Sequence, residues 1–298
     1  MAARRRWFRF NLQAGMGLVI VCAVLLAILI VPAHRRGRAF ADIRAAGGTI
    51  MLQPGAEESW FDKLVGRALG PDYVAKVYSI DLRKSKINND FLACLGAFPE
   101  IGKLDLEAAT ISDDALEYFK SLGSIRELWI GETAITDAGL AKLVLHHPRL
   151  DTLSLQGTKV TQVGLAELAK LPLLTDLLLN STETNDKGLE KLATVKSLED
   201  LGLRGTKVTS EGLMHLKRLP KLAKIRLYYT GVDDTGVKLL SEIPTLSLVD
   251  LSMTKITDVS LDYLARLPRL DDLDVTANKI SPEALKAFQQ THPKCTIQ

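Results

Sequence analysis

A chain of 298 residues is long enough for two compact domains, and its formal net charge of +3 suggests a mildly basic protein. Seven arginines and no acid fall within residues 1–38, so the rest of the chain carries −4 out of that total. A slightly acidic folded part lacks the basic stripe that displaces phosphate counterions, which excludes nucleic acid as the expected partner.

Residues 1–13 form a basic tail, and residues 14–31 form an apolar run without a charge. Such a run reaches the length of about 18 residues that carries a helix across a bilayer, so one transmembrane helix is expected over 14–33. Trp7, Phe8 and Phe10 suit the headgroup region. Arg4, Arg5, Arg6 and Arg9 before the run outnumber Arg35, Arg36 and Arg38 after it, which favours a cytoplasmic amino terminus and repeats outside the cytoplasm. A cleaved signal peptide is the rival reading, with Val31-Pro32-Ala33 as the small-residue site and Arg35-Arg36 an unfavourable neighbour.

Residues 34–53 read as a juxtamembrane helix and linker. R-R-G-R-A-F-A-D-I-R-A-A is helical and stops at Gly47-Gly48, and Thr49 to Leu52 follow as a strand. Residues 54–76 read as the cap of the domain that follows, since Trp60, Phe61, Leu64, Val65, Ala68 and Leu69 share one helical face.

From residue 77 to 298 the chain repeats itself with a period of 24. The pattern L-x-x-L-x-L-x-x-T-x-[IV]-T-x-x-G-L-x-x-L-x-x-L-P-x-L starts at Leu150, Leu174, Leu198, Leu222, Leu246 and Leu270, with worn copies from Val77, Ile101 and Ile125. About nine copies of this length mean a solenoid. In each copy L-x-L forms a short strand with its leucines inward. T-D opens a helix, where a hydroxyl caps and a carboxylate complements the dipole. Proline 148, 172, 220, 244 or 268 then prevents the helix from continuing. The expected architecture is α/β, a right-handed coil with a parallel sheet on its concave face. Thr133, Thr158, Thr182, Thr206, Thr230 and Thr254, with Asn278 last, form a structural column that bonds backbone groups at the turn after each strand. Cys94 and Cys295 sit at opposite ends of the stack, too far apart to bridge, and Cys22 lies in the apolar run.

These repeats resemble those of leucine-rich repeat proteins, in the bacterial variety with threonine in the ladder and T-D-x-G-L in the helix. The layout of R-R-R-W-F-R-F, apolar run, R-A-A-G-G-T and W-F-x-K-L resembles a group of bacterial membrane-anchored repeat proteins. The closing H-P-K-C-T-I is similar to the terminal strand of such domains. The resemblance implies a binding module.

Solenoids bind on the strand face. The residue between the two strand leucines runs Asp81, Asp105, Trp129, Ser154, Leu178, Gly202, Arg226, Asp250, Asp274, and the next outward column includes Gln156, Asn180, Arg204 and Tyr228. Arg204, Arg226, Tyr228 and Tyr229 have the composition of an interface hot spot, with Trp129 a few strands away. The candidate partner-binding residues are therefore Trp129, Gln156, Asn180, Arg204, Arg226, Tyr228 and Tyr229. Asp81 with Asp105, and Asp250 with Asp272 and Asp274, bring carboxylates together on neighbouring strands, to be relieved by a cation or by solvent. No glycine-turned loop accompanies them, so no metal is expected. His146-His147 and His292 recur before a proline and imply a shared turn. No G-x-S-x-G, C-x-x-C, H-E-x-x-H or phosphate loop occurs, so neither an enzyme nor a cofactor is expected. The expected function is a membrane-anchored module presenting its concave face to a protein or peptide. The alternative is a structural envelope component that associates with copies of itself.

Overall fold

The computed structural model describes residues 15–17, 19, 20, 23, 24, 31–53 and 60–298. Eleven strands form one sheet in strict chain order. They are β1 (Thr49–Leu52), β2 (Val77–Asp81), β3 (Lys103–Asp105), β4 (Glu127–Trp129), β5 (Thr152–Ser154), β6 (Asp176–Leu178), β7 (Asp200–Gly202), β8 (Lys224–Arg226), β9 (Leu248–Asp250), β10 (Asp272–Asp274) and β11 (Thr296–Ile297). All neighbours from β2 onward pair in parallel, while β1 pairs antiparallel with β2. The register advances by one period at every step, so Ile80, Leu104, Leu128, Leu153 and Leu177 stack in one buried file, and Leu82, Leu106, Ile130 and Leu155 in another.

Each strand returns through a helical segment. Some are α-helices, such as Asp137–His146 and Asp234–Leu240; others are 3-10 segments, such as Asp113–Ser121 and Gly212–Arg218. The recurring leucine spacing of three explains this mixture, because three residues per turn also place Leu213, Leu216 and Leu219 on one buried side.

The threonine file closes the turn after each strand. Thr158 Oγ1 donates to the carbonyl of Leu155 at 2.6 Å, and Thr133, Thr182, Thr206, Thr230 and Thr254 repeat the bond. Asn278 is longer, so its amide reaches both its own turn at Val275 and the preceding repeat at Leu251. The residue just before each of these positions is left-handed. Gly157 and Gly205 accept this freely, but Lys84, Ala108, Glu132, Ser181, Tyr229, Met253 and Ala277 adopt it as well, with φ between 53° and 58°.

The T-D-x-G-L motif acts between repeats rather than within one. Asp137 accepts from the backbone N–H and the hydroxyl of Thr161, both at 2.7 Å, one repeat ahead. Asp113 serves Thr136, Asp186 serves Thr209, Asp234 serves Thr257 and Asp258 serves Ser281 in the same way. Asn89 pairs with Ser112, and Ser210 with Asp233. The motif's glycine makes room for this clamp. A Cβ on Gly164 would stand 2.4 Å from Asp137 Oδ1 and 3.1 Å from Asp137 Cα, and the second contact is not relieved by turning a side chain. Gly164→Ala should therefore cost about 2 kcal/mol in urea unfolding, as overpacking does. Gly123→Ala, with nothing within 4 Å of its new methyl, should leave the midpoint unchanged or raise it.

The amino-terminal end departs from the sequence reading. Residues 34–53, expected to be juxtamembrane helix and linker, close the solenoid. The helix Val31–Ala45 buries Ala33, Ala39, Phe40 and Ile43, and the last three join the core of the first repeats. Phe40 meets Phe98 edge-on at 5.3 Å. Arg36 lies over the ring of Phe98 at 4.9 Å, donates to Ala97 O at 2.8 Å and to Glu100 Oε1 at 2.6 Å, and also bonds Ala75 O. In the helix Trp60–Leu69, expected to be the cap, Leu64 and Ala68 are exposed; the side chains of Trp60, Phe61, Val65 and Leu69 lie outside the described residues. Most of the expected transmembrane run also lies outside them, and among the described residues no helix is long and apolar enough to cross a membrane.

Candidate functional site

The strand register places every sequence-predicted site residue on the outward side of the sheet or at its adjoining turn. Trp129, Ser154, Leu178, Gly202, Arg226 and Asp250 are neighbours in one row. The next row holds Gln156, Asn180, Arg204 and Tyr228, and Tyr229 occupies the left-handed turn after β8.

The polar members of the second row are tied into a relay. The backbone N–H of Arg204 donates to Asn180 Oδ1 at 3.0 Å, Asn180 Nδ2 donates to Gln156 Oε1 at 3.2 Å, and Gln156 Nε2 donates to Glu107 Oε1 at 3.2 Å. The last link passes over Gly131, which has no side chain to block it. Burial, then the neighbouring Asp105, raises the Glu107 carboxyl above its ordinary value. Gln156 and Asn180 thus form a fixed floor rather than free recognition groups.

The two arginines are also held. Arg204 donates to Asp250 Oδ2 at 2.7 Å across two strands, and Arg226 is ion-paired with Asp200. Asp250 and Asp200 are 4% and 8% exposed, so each guanidinium neutralises a carboxylate that could not stand alone there. One guanidinium nitrogen of each arginine is committed, and the rest of each fork is open to a partner. Beside them Tyr228 is 38% exposed and Tyr229 64%, with ring centroids 6.2 Å apart. Met253, in the next turn and 43% exposed, extends this apolar patch. Met253 escaped the sequence reading, although its position one period after Tyr229 would have revealed it.

Trp129 lies apart from this patch, three strands from β7. Its half-buried ring faces the Lys103 ammonium at 5.4 Å, and neither its indole N–H nor the hydroxyl of its cross-strand neighbour Ser154 has a partner.

The acidic groupings are relieved within the chain. The cation between Asp81 at 2.7 Å and Asp105 at 3.3 Å is the guanidinium of Arg83. Its hydrogen bonds hold Asp81 below the usual carboxylate range, while burial raises Asp105. Asp250 faces Arg204, and Asp274 accepts from the Thr276 hydroxyl at 2.7 Å. Asp272 pairs with Leu248 and belongs to another row. Among the described residues no group of three or more histidines, cysteines or acids could hold a metal ion. His147 is buried at its turn and His292 stacks on Phe288 at 4.6 Å.

No protein-family model and no curated protein matches the chain. Among solved structures it is similar to internalin C2 from Listeria monocytogenes, with a TM-score of 0.54 and 22% identity over 82% of this chain and 92% of that one. It also matches the plant peptide hormone receptor RGFR1 in complex with RGF2, with a TM-score of 0.43 and 16% identity, covering 69% of this chain and 33% of the receptor. The fold is that of the leucine-rich repeat.

Proposed function

We propose that this chain is a binding module that takes an extended protein or peptide segment on the outward face of β7 to β9, and that it is not an enzyme. Residues 14–33 hold it at a membrane in this reading, with the repeats outside the cytoplasm. The observation that carries the reading is the exposed Tyr228, Tyr229 and Met253 beside two arginines fixed in place by buried carboxylates. Aromatic rings and arginine forks of this kind dominate binding energy when a partner covers them. Charge complementarity favours a partner segment that carries a carboxylate next to an apolar side chain, since the open donors of Arg204 and Arg226 accept no cation.

The tyrosines give the clean test. Removing either arginine would strand a buried aspartate, whereas both rings project from the fold. Peptides selected from a random display library on the full chain should bind Tyr228→Ala/Tyr229→Ala at least about tenfold more weakly, with an unchanged thermal midpoint. Selected peptides that ignore both substitutions, or a library that yields none, would count against the reading. Self-association has one observation in its favour: Met51 and Leu52 on the edge strand β1 are 61% and 52% exposed.

A further inference from the structure

Eight joints connect nine repeats, and seven of them carry a side-chain clamp on the turn side of the sheet. The joint between the fourth and fifth repeats is different. Gln162 stands where five of the clamps have an aspartate, Asn185 stands where those five have a hydroxyl, and no hydrogen bond links the two. The Asn185 side chain turns to its own helix and accepts from Gly188 N at 3.2 Å.

Two further observations fall on the same joint. Parallel backbone bridges such as Thr136 to Lys159 and Asn185 to Lys207 flank it on both sides, but none joins Thr161 to Glu183; the first two joints also lack such a bridge but keep their clamps, so this joint alone lacks both. Thr184 occupies a position held in other repeats by Ile135, Val160, Val208 or Val232. It is 1% exposed, and its hydroxyl meets Thr182 at 2.8 Å rather than anything in the fourth repeat. The glycine reports the same gap: the nearest atoms to a Cβ on Gly188 would be Thr184 Cγ2 and Leu165 Cδ1, with no preceding carboxylate among them.

The sheet, by contrast, is continuous here. Leu155 N donates to Leu178 O and Gly157 N to Asn180 O, both at 2.8 Å, and Asn180 bonds Gln156. A joint bonded along one side and unclamped along the other bends about the bonded side.

We propose that this joint is a hinge: the repeats before residue 172 and those after it are two stiff blocks that change their mutual angle about β5 and β6. Trp129 then lies on one block and the Arg204 to Met253 patch on the other, so bending alters the distance between them. The inference holds whether or not that patch binds a peptide.

The test measures distances between paired spin labels by pulsed electron resonance on the full chain in detergent, with Cys22, Cys94 and Cys295 replaced by alanine. Labels at Ala138→Cys and Thr235→Cys span the joint. Labels at Lys187→Cys and Glu283→Cys lie on the corresponding helix column of the second block; each pair is four repeats apart and all four sites are exposed. The spanning pair should give the broader distribution, and Gln162→Asp/Asn185→Thr, which writes the neighbouring clamp into the joint, should narrow it to the width of the control. Asp258→Gln, which opens a clamp inside the second block, should broaden the control pair and provides a reading should the refilled joint fold poorly. Equal widths for the two unmodified pairs, or widths that neither substitution changes, would overturn the hinge.

Discussion

Arg36→Ala should lower the unfolding free energy by about 2 to 3 kcal/mol, the low end for breaking a buried ion pair because Glu100 remains partly solvated. The Arg36 side chain is 16% exposed and ties the capping helix to three groups in and just before the first repeat: the carbonyls of Ala97 and Ala75, and Glu100. Its removal takes the arginine donor from two carbonyls, leaves Glu100 with the Val77 N–H, and uncovers one face of Phe98. Urea unfolding followed by circular dichroism would register the loss, and proteolysis within residues 46–53 should accelerate because the cap detaches first. Arg36→Lys should recover less than half, since an ammonium cannot serve these groups as a planar fork does. Acid should act through the same bond. Burial would raise Glu100, but hydrogen bonds from Arg36 and Val77 outweigh it and hold the carboxyl below its ordinary 4.5. The folded value is thus lower than the unfolded one, so the contribution is complete above about pH 4.5 and fades as the pH falls through the folded value. An unchanged midpoint in Arg36→Ala would show that the helix docks on apolar contact alone.

A second large effect belongs to His147. Its ring is 3% exposed at the turn before Pro148, Nε2 has no hydrogen-bond partner, and burial, then the neighbouring His146, lowers its pKa from 6.5 to about 4. The unfolded chain takes up the proton first on acidification. Stability should therefore fall between pH 6.5 and about 4 and level off below, by about 3 kcal/mol in total from this group. Much of that loss appears by pH 5, before most carboxylates protonate. His147→Leu should flatten the profile between pH 7 and pH 5. A wild-type midpoint that does not move over this interval would mean that the turn opens to admit water around the ring.

The fold was legible because its signal is local and repeated. Leucine spacing within one copy gives strand and helix, and a constant period gives the register that places Asp81, Trp129, Arg226 and Asp274 in one row. What escaped were bonds between distant positions. Arg35, Arg36 and Arg38 read as charges flanking the apolar run at the start of a juxtamembrane helix, and nothing near Arg36 announces that its partners lie 39 to 64 residues away. The aspartate of T-D was legible as a helix-dipole partner but not as the clamp of the following repeat, because its second role depends on the helix stacking above it. The candidate patch was found by composition, yet the carboxylates that hold its arginines were not: Asp200 was left unassigned, and Asp250 was grouped with acids instead of with Arg204.

Most of the clamps also have a direction: the carboxylates of Asp113, Asp137, Asp186, Asp234 and Asp258 reach forward, and Asp233 alone reaches back, to Ser210. In the ninth repeat the position of the forward carboxylate is Pro282, which has no side-chain oxygen to offer a tenth. At the opposite end β1 runs antiparallel to the strands it covers, so a parallel strand arriving there meets the wrong polarity. Head-to-tail growth into an open filament is thereby disfavoured at both ends.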